Sequence, residues 1–129
     1  MNSRKPETQQ HLDAADRNYR FAVALLTDAV NLVEPPAYDW VLIIAFYAAV
    51  RYINAYHWQR FDADPADHQA RNGFVNRVDA LNAVAEAYNL LYGRSRAVRY
   101  KAGRAVNEQA ANAALSIAER VRNVVLALL

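Results

Sequence analysis

Apolar residues recur at three- and four-residue steps through most of the chain. Leu12, Ala15, Tyr19, Ala22, Leu26, Ala29 and Val33 form one such stripe and predict a first helix from about Thr8 to Val33. Glu34-Pro35-Pro36 ends it, because proline lacks an amide donor and restricts the residue before it. A second helix is expected from about Asp39 to Arg60, with Asp39 as its cap. Trp40, Ile43, Ile44, Phe46, Tyr47, Val50, Tyr52 and Ile53 surround nearly its whole circumference, which predicts a central helix with Trp40, Ile44, Tyr47 and Val50 largely buried.

The segment Phe61-Asp62-Ala63-Asp64-Pro65-Ala66-Asp67 reads as an acidic turn, and Asp67 as the N-cap of a third helix, about His68 to Val78. Gly73 weakens that helix, which is expected to be short or bent. A fourth helix spans about Leu81 to Tyr100, with Gly93 as a candidate bend, and Gly103 separates it from a fifth, about Val106 to Leu128. The chain therefore reads as all-α, an up-and-down bundle of four to five helices. Residues 1–7 read as a flexible start and residues 8–129 as a single domain.

Composition narrows the chemistry. The 129 residues are 54% hydrophobic, enough for a core without staples, and contain no cysteine, which excludes disulfides, thiolate metal sites and a cysteine nucleophile. The longest apolar run, Trp40 to Val50, is about half of a membrane span, and the polar start has no signal-peptide core, so a cytoplasmic protein with no membrane partner is expected. All of the basic residues except Lys5 and Lys101 are arginine, whose planar fork matches phosphate, although the net charge is only +2. No cofactor motif or metal site is visible. Asp39, Asp62, Asp64 and Asp67 lack the glycine and terminal glutamate of a calcium loop.

Three segments occur in an informative order: Tyr38-Asp39-Trp40-Val41 through Ala45-Phe46-Tyr47-Ala48-Ala49-Val50-Arg51-Tyr52-Ile53-Asn54-Ala55-Tyr56; His68-Gln69-Ala70-Arg71-Asn72; and Leu90-Leu91-Tyr92-Gly93-Arg94-Ser95-Arg96-Ala97-Val98-Arg99-Tyr100. Together they resemble the "DWA…AYYAALHxVxAYL", "HxxRN" and "LYxxSRxARY" stretches of the HEPN superfamily of small prokaryotic helical domains. The resemblance implies a HEPN-type bundle, frequently a homodimer. It implies one of two functions. The first is a metal-independent ribonuclease of a toxin–antitoxin, CRISPR-linked or antiviral defence system. The second is a non-catalytic interaction module that binds a nucleotidyltransferase or another defence protein, or serves as a subunit of a larger complex.

In the ribonucleases of that superfamily an arginine is followed by a histidine after four to six intervening residues. Here Arg71-Asn72 occupies the start of the pattern, but Asn76, Arg77 and Val78 stand where the histidine would be, and His68 lies one turn earlier instead. This departure favours the non-catalytic alternative, while His68 keeps the enzyme reading open. The candidate catalytic set is His68 as proton-transfer group, Arg71 against phosphate charge and Asn72 as an orienting group, in reach of one another on a first helical turn. Arg51 and His57 form a reserve pair, although their spacing points them about 120° apart on one helix. Arg94, Arg96, Arg99, Lys101 and Arg104, interleaved with Tyr88, Tyr92 and Tyr100, form a candidate RNA-binding surface. The competing reading of these residues is a basic helix end with core tyrosines.

Overall fold

The computed structural model of the chain describes residues 3–101 and 105–129. Among them are five α-helices and no strand: α1 Pro6–Ala24, α2 Tyr38–Phe61, α3 His68–Arg77, α4 Asn82–Tyr100 and α5 Glu108–Leu128. Among the described residues no helix is long and apolar enough to cross a membrane.

Proline at the first turn of α1 costs no hydrogen bond, so the helix starts at Pro6 rather than Thr8. Its start is tied to the end of α2: Lys5 N and Thr8 Oγ1 both donate to Gln59 Oε1, at 3.0 and 2.8 Å. The other end departs from expectation. Regular α-helix stops at Ala24 and gives way to a π turn over Leu25–Ala29 and a 3-10 turn over Val30–Leu32. A π turn takes an extra residue and shifts the phase of the stripe, so Val33, expected inside, is 57% exposed.

Asp39 does not cap α2. Ala37 occupies the cap without a side-chain bond, and Asp39 sits in the first turn, where its charge complements the helix dipole. The helix packs chiefly against α1 and α5 and also against α4. It leaves one stripe in water, and this corrects the expected core: Trp40 is 57% and Tyr47 39% exposed, Ile44 is half-buried, and only Val50 of that set is fully inside. A helix that is apolar all round carries no phase information, so the pattern alone could not say which stripe would face out. The helix ends at Asp62 in the left-handed region (φ 56°), a conformation aspartate tolerates, with its carboxylate 2.8 Å from Lys5 Nζ.

Asp67 caps α3 as expected, accepting from Ala70 N at 2.8 Å, and Asn107 caps α5 in the same way. Neither α3 at Gly73 nor α4 at Gly93 is broken. A short 3-10 turn, Asp79–Leu81, leads into α4. α3 lies across the middle of α2, with His68 beside Phe46, Arg71 beside Asn54 and Phe74 against Tyr56 and His57. Phe46, Tyr52 and Tyr88 are fully buried where α2 meets its neighbours.

Candidate functional site

α3 and α4 bring two of the predicted groups together over α2. Arg71 is only 8% exposed. Its Nε donates to Asn54 Oδ1 at 2.9 Å, and its Nη1 to His68 Nδ1 at 3.0 Å. Arginine has only donors and stays charged, so Nδ1 must be the acceptor and the His68 proton sits on Nε2. Among the described residues Nε2 has no hydrogen-bond partner and no carboxylate lies within ion-pair distance of Arg71. A buried guanidinium is thus held by neutral acceptors alone, an arrangement whose desolvation cost an incoming anion offsets.

The His68 ring lies 6.0 Å from Phe46 and 5.7 Å from Tyr92. Burial lowers its pKa below the ordinary histidine value, and Arg71, Arg99 and Arg96 lower it further, against the opposing pull of Asp67. The imidazole is therefore neutral at neutral pH. Among the described residues the Tyr88 hydroxyl, fully buried near Arg71, has no hydrogen-bond partner, and burial pushes its pKa up to about 12, against the pull of Arg71. Tyr88 accordingly stays protonated. Asn72, expected to orient the site, bonds to neither His68 nor Arg71, and its Oδ1 is enclosed without a partner among the described residues.

The predicted RNA-binding arginines divide. Arg99 is fixed on an aromatic bed: Nε donates to Ser95 O and Oγ at 3.3 and 3.2 Å, Nη1 to the Tyr47 hydroxyl at 3.3 Å, and the guanidinium carbon lies 5.5 Å from the Phe46 centroid. Arg96 donates to the Tyr92 hydroxyl at 3.2 Å. Both therefore lie on the His68 side of the bundle. Arg94 points elsewhere, lining a groove of about 430 Å³ with Leu42, Leu90, Gly93 and Val98. The backbone of Lys101 closes α4 by donating to Ala97 O, and Arg104 lies outside the described residues.

The reserve pair does not form. Arg51 donates to His11 Nδ1 at 3.1 Å, and His57 Nδ1 donates to the Ala63 carbonyl oxygen in the acidic turn while its ring packs edge-on to Phe74. His11 completes its bonding through Asp64, 2.7 Å from Nε2. The acidic turn is thus occupied structurally, with Asp62 on Lys5, Asp64 on His11 and Asp67 on the Ala70 amide of α3. No group of three or more histidine, cysteine, aspartate or glutamate side chains among the described residues could hold a metal ion.

Asn54 joins the site from outside the candidate catalytic set: it is 6% exposed, and its place as an amide within an apolar helix is a signal for it. Phe46, Tyr47 and Ser95 were invisible as site residues, because nothing in their spacing reports the arginines that rest on them.

No family model matches the chain, and no curated protein or solved structure matches it either.

Proposed function

We propose that the chain is a HEPN-type helical protein of a prokaryotic defence or toxin system whose His68–Arg71–Arg99 surface binds an RNA phosphodiester and cleaves it without metal. The observation that carries the reading is the gathering of Arg71, Arg96 and Arg99 beside a neutral histidine, with no carboxylate on any of the three guanidiniums among the described residues. Cationic forks without acidic partners gain most from a phosphate.

The chemistry follows from the tautomer. In the free protein His68 offers Nε2–H as a donor. A phosphate that accepts from Arg71 Nη1 draws that donor from His68 Nδ1, and its negative charge raises the affinity of the imidazole for a proton. The ring can then exchange protons with the attacking ribose 2′-hydroxyl or the departing 5′-oxygen, while Arg71 and Arg99 stabilise charge on the phosphorus oxygens. Exposed Trp40 and Tyr47, with half-buried Ile44 between them on the same stripe, support a homodimer through α2.

The test is cleavage of single-stranded and structured RNA in chelator. Arg71→Lys should abolish most of the activity, because an ammonium cannot serve Asn54, His68 and phosphate at once. Wild type that leaves all RNA intact over hours excludes the nuclease. One observation favours a non-catalytic module in that event: Arg71 is mostly buried and already engaged on two sides, as in an arginine that holds α3 to α2 for a partner enzyme to read.

A further inference from the structure

The surface proposed to bind phosphate continues to the end of α4. Tyr100, the last residue of α4, is 72% exposed, yet two guanidiniums lie near its ring: Arg99 at 5.1 Å and Arg96 at 6.0 Å from the centroid. Resting on the phosphate-binding reading, we infer that Tyr100 is a stacking platform for an unpaired nucleobase, so that the surface takes a single strand of RNA rather than a duplex.

The strip has a continuous order. Arg71 lies at its buried end, bonded to His68. The His68 ring abuts Phe46 and Tyr92, and on those two residues rest Arg99 and Arg96 respectively. Both arginines then reach Tyr100 at the exposed end. Guanidiniums and aromatic rings therefore succeed one another from Arg71 to Tyr100, and because Phe46 is fully buried the rings open to a base are Tyr92 and Tyr100, each beside an arginine as bases lie beside phosphates along a strand. In a duplex the base faces are covered by their neighbours, and only phosphate edges remain for a protein to hold. Arg99 is anchored to Ser95 and Tyr47 by neutral partners, so it is already in place when a strand arrives, and little side-chain ordering opposes binding. A base stacked on Tyr100 would sit against Arg99 as well, adding a cation–π contact.

The experiment is fluorescence anisotropy with an uncleavable 2′-deoxy strand of about eight nucleotides. The comparison probes are the same strand made abasic, the corresponding duplex, and inorganic phosphate followed by the His68 imidazole resonance. Stacking does not require the 2′-hydroxyl, so the deoxy strand reports it. Tyr100→Ala should weaken binding of the intact strand about 5- to 150-fold and leave the abasic strand unchanged, while Tyr100→Phe restores wild-type affinity. Because the side chain is exposed at a helix end, both variants should fold as wild type does. Equal affinity of wild type for intact and abasic strands, or for single strand and duplex, overturns the platform. Tyr100→Ala that binds the intact strand normally also overturns it, and a change of mass by light scattering in that variant would assign the ring to a contact between copies. If phosphate moves the His68 resonance but bases add nothing, the platform falls and the phosphate site stands. If neither phosphate nor any strand binds, both fall.

Discussion

His11 and His68 begin from the same contact. Each accepts a hydrogen bond at Nδ1 from an arginine on a neighbouring segment or turn, Arg51 at 3.1 Å and Arg71 at 3.0 Å. They differ at the other nitrogen. His11 Nε2 donates to Asp64, which completes its bonding and compensates the nearby Arg51 charge. His68 Nε2 has no such partner among the described residues, and the charge beside it is uncompensated. The same pair of residue types is thus a finished tie in one place and the proposed anion site in the other. A third cluster agrees with the first: Arg122 Nε and the Tyr52 hydroxyl both donate to Asp16 Oδ1, joining α1, α2 and α5 around a carboxylate. What separates structure from candidate function in this chain is the presence of an acid.

The largest expected difference is in activity. His68→Ala should lower metal-free RNA cleavage by about 100-fold or more if the imidazole moves the proton, whereas His11→Ala should leave cleavage by the folded protein unchanged. Equal losses in both variants, measured under single-turnover conditions, would erase the contrast.

Stability should show the reverse. His11→Ala strips Asp64 and Arg51 of a shared partner at a mostly buried position and should cost about 1–3 kcal/mol in a urea melt. A loss under about 0.5 kcal/mol would mean that water replaces the tie as well as histidine makes it.

Salt dependence separates the arginines. Arg99→Gln should weaken RNA binding and reduce the slope of log K against log salt by about one, while Arg94→Gln, on the groove side of α4, should change neither. Identical slopes for the two variants would return both arginines to ordinary surface charge.

The smallest effect is on the pH dependence of folding. The His68 pKa is lowered in the folded chain, so below the ordinary histidine value of 6.5 the unfolded state binds more protons than the folded one. Its contribution to stability is therefore present above that value and lost as pH falls through the window beneath it. Acidification should destabilise wild type more than His68→Gln; a larger loss in the variant would reverse the sign of the argument.

Much of the fold was legible in the sequence because caps and stripes are local. Asp67 marks the start of α3 by its own chemistry, and proline ends the first helical segment, whereas the Asn107 cap of α5 stands one residue inside the start expected at Val106. Trp40 and Tyr47 were misplaced because α2 is apolar on every side, and its exposed stripe is decided by where α1, α4 and α5 pack. The two glycines were over-read. A Cβ at Gly93 would meet nothing within 4 Å, and at Gly73 it would meet only the far end of the Arg77 side chain, so neither needs a bend. His68 and Arg71 were visible as a pair one helical turn apart, whereas Asn54 and Arg99 reach them from sequence-distant helices. The same limit hid the partnership of His11 with Arg51, whereas the angular separation of Arg51 and His57 on one helix already spoke against that pair.

The central claim is that His68 and Arg71 form an anion site while His11 does not. It is tested most directly by following the three histidine imidazoles by NMR across a pH titration, with and without inorganic phosphate. The account predicts that His68 titrates below 6.5 in the free protein, that phosphate raises its pKa, and that His11 is unmoved. Arg71→Lys should remove most of that phosphate response. A His68 resonance indifferent to phosphate at concentrations that shift His11 would contradict the account.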